Sequence, residues 1–245
     1  MQETKRPKGR RAALQALAGL ATASVLPVAR ADRFDEFKGK MFRIVVPFPA
    51  GMGSDNIARV IADTLPDLTG ATAIVENKPG GNGVIAINYL NRLEPDGLAL
   101  FLASQSPMAV NAVMFKSLGY DPLKDAKPVA LMMRTKWVVV GAADSAHRTF
   151  MSHVEAARRS GSEITVSGGS SGYQLGMHLV AKAAGVKMNV VPYNGTPQAM
   201  NDVIGGQIAM TLLDVSTSRP PIEAGRLRPL LGIGKEQTYT RKFNE

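Results

Sequence analysis

From Phe42 onward, short apolar runs alternate with stretches of helical periodicity. That alternation restricts the chain to an α/β fold built from parallel βαβ units with crossover helices. Phe42 to Val46 reads as a buried strand, and Ser54 to Leu65 carries Ile57, Val60, Ile61 and Leu65 at helical spacing. Thr72 to Glu76 reads as a strand, Gly83 to Leu93 as a helix and Leu98 to Ala103 as a strand, each bounded by Gly, Pro or Asn. A second series follows the segment containing Trp137 to Gly141. It has helices at Phe150 to Arg159, Gln174 to Ala184 and Pro197 to Ile204, and strands at Ile164 to Val166, Met188 to Val191 and Gln207 to Leu213. The architecture repeats, but the sequence itself does not.

The junctions between strand ends and helix starts are rich in small and hydroxyl residues. In the first series these are Pro49-Ala50-Gly51-Met52-Gly53-Ser54-Asp55, Pro79-Gly80-Gly81-Asn82-Gly83 and Ser104-Gln105-Ser106. In the second they are Ser167-Gly168-Gly169-Ser170-Ser171-Gly172 and Tyr193-Asn194-Gly195-Thr196. In open α/β sheets ligands bind outside the carboxyl ends of strands, where helix N-termini offer unpaired N–H groups and partial positive charge. Any one such loop is adequately explained by turns and helix caps. Five of them at successive strand ends point to a binding site.

The first 31 residues stand apart. Lys5, Arg6, Lys8, Arg10 and Arg11 precede an uncharged stretch from Ala12 to Ala29, with small residues at Ala29 and Ala31, the outline of an export signal with cleavage after Ala31. The Arg10-Arg11 pair suits the twin-arginine route, and an ordinary secretory signal fits as well. A membrane anchor fits poorly, because the stretch is Ala-rich and interrupted by Pro27 rather than roughly 20 strongly apolar residues. These 31 residues hold six basic and one acidic side chain, so the formal net charge of +9 falls to about +4 without them. The remaining basic residues are scattered, without the aromatic interleaving of a single-strand binder, so nucleic acid is not an expected partner. The chain has no cysteine, which removes disulfides, thiol nucleophiles and thiolate zinc sites.

Several short runs carry a family resemblance. Pro47-Phe48-Pro49-Ala50-Gly51 with Asp55, Val75-Glu76-Asn77-Lys78-Pro79-Gly80, Pro95-Asp96-Gly97, Tyr120-Asp121-Pro122, and Val191-Pro192-Tyr193-Asn194-Gly195-Thr196 with Gly205-Gly206-Gln207 resemble the Bug-type (TctC-like) substrate-binding proteins of tripartite tricarboxylate transporters. They run in order from about Phe42 to Gly234. The resemblance implies a two-lobed periplasmic-binding-protein (Venus-flytrap) architecture. Its implied activity is capture of a small carboxylate for the membrane permease subunits of such a transporter, by a periplasmic monomer that needs no cofactor or metal. On that basis the first lobe spans 32–136 and the second 137–225, with Trp137 to Gly141 as the hinge. Pro49, Ala50, Gly51, Ser54, Asp55, Ser104 and Ser106 are expected on the first lobe's wall of the cleft. Ser170, Ser171, Asn194, Gly195, Thr196 and Asp214 are expected to face them. Asp214 either meets a ligand ammonium or hydroxyl or caps the helix that follows.

Three departures from the family pattern fall in or beside the site: Met52 and Ser170 stand where glycine is usual, and His178 where glutamate is usual. In the family a substantial segment follows the strand resembled by Leu227 to Ile233. Residues 226–245 are therefore expected to be a returning strand and the start of a first-lobe portion truncated at the C-terminus.

Two other function classes compete. A sensing module that presents its loaded form to a receptor would show the same loops. A serine hydrolase is suggested because Gly168-Gly169-Ser170-Ser171-Gly172 fits G-x-S-x-G between a strand and a helix, but that order needs an acid and then a histidine afterwards. The last histidine is His178, ahead of Asp202 and Asp214. Gly81-Asn82-Gly83-Val84-Ile85-Ala86 fits a dinucleotide fingerprint only formally, since Asn77-Lys78-Pro79 separates it from the strand and Glu94 and Asp96 follow too soon.

Overall fold

The segment Met41–Val46 (β1), apolar except for Arg43, becomes the middle strand of a parallel sheet, flanked by Thr72–Asn77 (β2) and Ala99–Phe101 (β3) in the order β2-β1-β3. Ile44, Val45 and Val46 are fully buried, as a strand covered on both faces requires. The computed structural model describes residues 34–234; the export signal expected over 1–31 lies outside the described residues. Gly53–Thr69 (α1) packs on this sheet through Ala58, Ile61 and Ala62. It ends where Gly70 takes a left-handed φ of 67° and donates its N–H to the Pro66 carbonyl, a turn that favours glycine. After β2 a short 3₁₀ turn at Gly81–Gly83 leads into Val84–Leu90 (α2). After β3, a π turn at Ser106–Val110 leads into Asn111–Met114 (α3).

The second sheet has five strands: Trp137–Ala142 (β4), Ile164–Gly168 (β5), Met188–Pro192 (β6), Met210–Asp214 (β7) and Leu227–Ile233 (β8), in the order β6-β5-β7-β4-β8. The helices Phe150–Ser160 (α4), Ser171–Ala184 (α5), Thr196–Ile204 (α6) and Val215–Glu223 (α7) connect and cover it. One apolar cluster holds Val139, Val154, Val166, Met177 and Leu212, and a second holds Val138, Val140, Val203 and Leu213. Alternate residues of β4 thus feed opposite faces.

The sheet departs from the parallel expectation at β4, which runs antiparallel to both β7 and β8, whereas β5 runs parallel to β6 and β7. Apolar alternation marks a strand but not its direction, so the sequence pattern could not distinguish the two. Trp137 to Gly141, expected as a hinge, is instead this inner strand; the passage between the sheets lies ahead of it, after β3. β8, the expected returning strand, pairs along β4 within the five-stranded sheet.

On α4, His153 is buried with its ring 4.9 Å from that of His147, and its Nε2 has no hydrogen-bond partner. Burial, and then the neighbouring His147, push the His153 imidazole below its ordinary value. An unfolded histidine takes up its proton near pH 6.5, whereas folded His153 does so only at lower pH. Over that window the unfolded chain binds more protons, so stability falls as pH falls. The melting temperature is therefore expected to drop between pH 7 and pH 5.5, less steeply in His153→Phe; equal slopes in the two proteins would remove His153 as the cause.

Candidate functional site

The strand-end loops of the two sheets meet. A Cβ on Gly53, the first residue of α1, would stand 2.7 Å from the Asp214 Oδ2 at the end of β7. One on Gly195, before α6, would stand 2.8 Å from Pro49 Cγ and 3.6 Å from Met52 Sδ. One on Gly172 would stand 2.7 Å from Gln105 Nε2. Glycine at these places permits an approach that any side chain would block. Within the second lobe, a Cβ on Gly169 would stand 2.7 Å from the carbonyl carbon of Gly195, so those two loops also touch.

Four helices start in this region, and their N-termini divide into two kinds. The N-terminus of α5 is fully used. Ser171 N–H donates to Asn82 Oδ1 at 2.8 Å, Gly172 N–H to Ser106 Oγ at 3.0 Å and Tyr173 N–H to Ser170 Oγ at 3.4 Å. Ser171 Oγ donates to Asn111 Oδ1 at 2.8 Å, and Asn111 Nδ2 reaches the Asn82 carbonyl at 3.1 Å. Asn82, Ser106 and Asn111 belong to the first lobe, so these bonds latch the lobes together. Asn82 takes a φ of 53°, a left-handed conformation that asparagine tolerates.

The N-terminus of α7 is also used. Asp214 Oδ1 accepts from Thr217 N–H at 2.9 Å and from the Ser216 hydroxyl, and Oδ2 accepts from Thr217 Oγ1 at 3.0 Å and Tyr173 OH at 3.2 Å. Asp214 thus caps its helix with every oxygen position engaged. Burial, and then the Asp214 carboxylate, push the Tyr173 hydroxyl well above its ordinary value, so it stays protonated as a donor.

α1 and α6 differ. Neither has a side-chain cap: Met52 and Gly195 stand at the cap positions. Each begins with a hydroxyl that is buried without a hydrogen-bond partner, Ser54 Oγ and Thr196 Oγ1, and Ser104 Oγ after β3 is in the same condition. The contact of Gly195 with Pro49 and Met52 brings these two helix starts together.

The expected site residues therefore fall into distinct groups. Ser54, Gly195 and Thr196 stand at the two open helix starts with Pro49 beside them, and Ser104 carries a further unpartnered hydroxyl after β3. Ser106, Ser170, Ser171 and Asp214 are engaged in the latch and the caps. Asp55 is buried and accepts four hydrogen bonds, from Gly51 N–H at 2.9 Å, Arg59 Nε at 3.0 Å and Nη2 at 3.1 Å, and Asn77 Nδ2 at 2.9 Å. It shapes the loop from 47 to 52. Ala50, Gly51 and Asn194 are exposed at the rim.

Sequence reasoning missed Asn82 and Asn111 as latch residues, Tyr173 as the partner of Asp214, and Gly53 as a point of close approach. For Gly53 a small residue directly before the helix was the available signal; for Asn111, within a helix, there was none. Ser170 has extended backbone at φ −160°, its hydroxyl accepts from the Tyr173 N–H, and His178 is exposed further along α5. A nucleophile elbow has none of these features.

The chain folds as two α/β lobes whose facing loops offer neutral donors at helix starts. The model of the tripartite tricarboxylate transporter family receptor, TctC, matches residues 57–243, and the chain belongs to that family of binding proteins. A curated relative from Pseudomonas sp. (strain P51), described as a UPF0065 protein in the tcbD-tcbE intergenic region, is 31% identical over 218 residues. That alignment covers 87% of this chain and 64% of the relative, so the chain spans less than two thirds of that protein's length. Among solved structures, R. palustris Rpa4515 with adipate is similar at 27% identity and a TM-score of 0.77, over 80% of this chain and 67% of that one. The periplasmic binding protein BugD is similar at 25% identity and a TM-score of 0.73, over 82% and 68% of the two chains.

Proposed function

We propose that this chain captures a small carboxylate between the starts of α1 and α6 and carries out no reaction on it. The observation that carries this reading is the pair of uncapped helix N-termini in contact across the cleft, each with a buried, unpartnered hydroxyl. A carboxylate placed there would accept from Ser54, Thr196 and the first N–H groups of both helices, with water completing the shell. The other two helix starts have their donors already engaged. The loops touch, so entry requires the lobes to part and rejoin around the ligand, a hinge movement. The family match and the adipate-bound relative support a carboxylate as cargo.

The same family supports delivery to the permease subunits of a tripartite tricarboxylate-type transporter, with capture in the periplasm after export directed by residues 1–31. Among the described residues no helix is long and apolar enough to cross a membrane. A ligand bound only by the folded chain raises its apparent stability, by about 2.7 kcal/mol at 100 times its Kd. A panel of mono-, di- and tricarboxylates screened by thermal shift is therefore expected to contain at least one acid that raises the melting temperature by several degrees, an effect that weakens in Thr196→Val. If the whole panel left the melting temperature of folded protein unchanged, the carboxylate reading would fail.

A further inference from the structure

Met52 is an apolar residue in a place where a helix start favours a hydrogen-bonding one. It stands at the cap position of α1 with extended backbone and no cap bond, and only 4% of it is exposed. Its thioether lies 3.6 Å from where a Cβ on Gly195 would be, at the same loop contact that joins the two uncapped helix starts. Two residues on is Ser54 and next to Gly195 is Thr196, two of the buried hydroxyls without a hydrogen-bond partner. Met52 and Phe48 also belong to the apolar cluster of the second lobe, with Val139, Tyr173, Met177 and Leu212. An apolar side chain of the first lobe thus borders the donors on one side and continues into an apolar core on the other.

Charge points the same way. The loops at 47–55, 104–107, 167–172, 193–196 and 214–217 contain no lysine or arginine. Their two carboxylates, Asp55 and Asp214, have their oxygens filled by bonds within the protein. Lys78, directly before the loop Pro79 to Gly83, is paired with Glu76 at 3.1 Å and lies over the Tyr89 ring. One carboxylate of a ligand would be met by helix N–H groups and hydroxyls. A second one would be desolvated against a thioether, and these five loops carry no lysine or arginine to receive it, which is unfavourable.

We propose that Met52 determines ligand class in this chain, selecting a monocarboxylate with a compact apolar body over a dicarboxylate of the same length. The proposal rests on the carboxylate reading and specifies it. Thioethers are polarizable and adaptable, so the wall accepts aliphatic or small aromatic bodies while rejecting charge.

The test is isothermal titration of the full chain with matched pairs, butanoate against succinate and hexanoate against adipate, in wild type, Met52→Gly, Met52→Leu and Met52→Gln. Wild type and Met52→Leu are expected to bind each monocarboxylate at least tenfold tighter than its dicarboxylate partner. In Met52→Gly and Met52→Gln the ratio is expected to shrink to threefold or less, through gained affinity for the diacid. Met52→Gly is compatible with the extended cap backbone; should it fail to fold, the comparison of Met52→Leu with Met52→Gln, nearly equal in size, decides. Wild type binding the diacids as tightly as the monoacids, or Met52→Gln keeping the wild-type ratio, would overturn the role of Met52 and leave carboxylate capture intact. No binding of any of the four acids by folded wild type overturns the role of Met52; carboxylate capture itself falls only if the wider acid panel also leaves the melting temperature unchanged.

Discussion

Gly53→Val is expected to keep the lobes from closing and to weaken carboxylate binding by roughly ten- to 100-fold, with Gly53→Ala intermediate. Gly53 has no positive φ, so its backbone accepts either substitution without strain. Alanine is a better helix former than glycine, so α1 itself is not weakened. The obstacle lies across the cleft, where the first added carbon would stand 2.7 Å from Asp214 Oδ2 and 3.0 Å from its Cγ. The Asp214 carboxylate cannot easily swing aside, because Thr217, Ser216 and Tyr173 hold both of its oxygens. Overpacking at a contact of this kind costs about 1–3 kcal/mol. If closure is required for binding, that cost is a tenfold loss of affinity for each 1.4 kcal/mol. Circular dichroism should be unchanged, and small-angle scattering should report a larger radius of gyration than wild type. Wild-type affinity in Gly53→Val would show that ligand capture does not use this contact.

The α/β class was legible because β1 is largely apolar and the helices carry their periodicity openly; the observed bounds of β1, β2 and α4 differ by no more than a residue at either end from those read in the pattern. The strand-end loops were legible as well, since glycine clusters mark them. Loop composition could not show which helix starts keep their donors free. That depends on partners distant in sequence: Asn82 and Ser106 reach the N-terminus of α5 across 89 and 66 residues. Four helix starts that look alike as sequence thus divide into two that are occupied and two that are open. Sequence alone leaves Asp214 either a cap or a ligand contact, because an aspartate before a helix serves either purpose; Tyr173, 41 residues away, cannot be paired with it by spacing. Direction was equally invisible in β4, where alternation is the same whichever way a strand runs.

Asp55→Ala is expected to destabilise the chain by about 1–3 kcal/mol, the cost of leaving buried hydrogen-bonding partners unmet, and to weaken binding through the loop it organises. Asp55 is 2% exposed and lies at the centre of the loop from 47 to 52. It accepts from Gly51 within the loop, from Arg59 one turn along α1, and from Asn77 at the end of β2, while Asn77 also donates to the Phe48 carbonyl at 3.0 Å. Burial alone would raise this carboxyl; the bonds from Arg59, Gly51 and Asn77 together outweigh it and hold the group below its ordinary value. Its stabilising contribution is therefore present above the unfolded value near pH 3.9 and is lost as pH falls through the lower folded value. Arg59 is half exposed and can return to water, which keeps the loss below that of a fully buried pair. Asp55→Asn is the sharper test. Its amide keeps one accepting oxygen but turns its NH2 towards the guanidinium and the Asn77 amide, which are themselves donors, so Asn is expected to recover only part of the loss despite its matching shape. Urea melts of the three proteins at pH 7 compare these directly; an Asp55→Asn chain as stable as wild type would mean that shape rather than charge holds the loop.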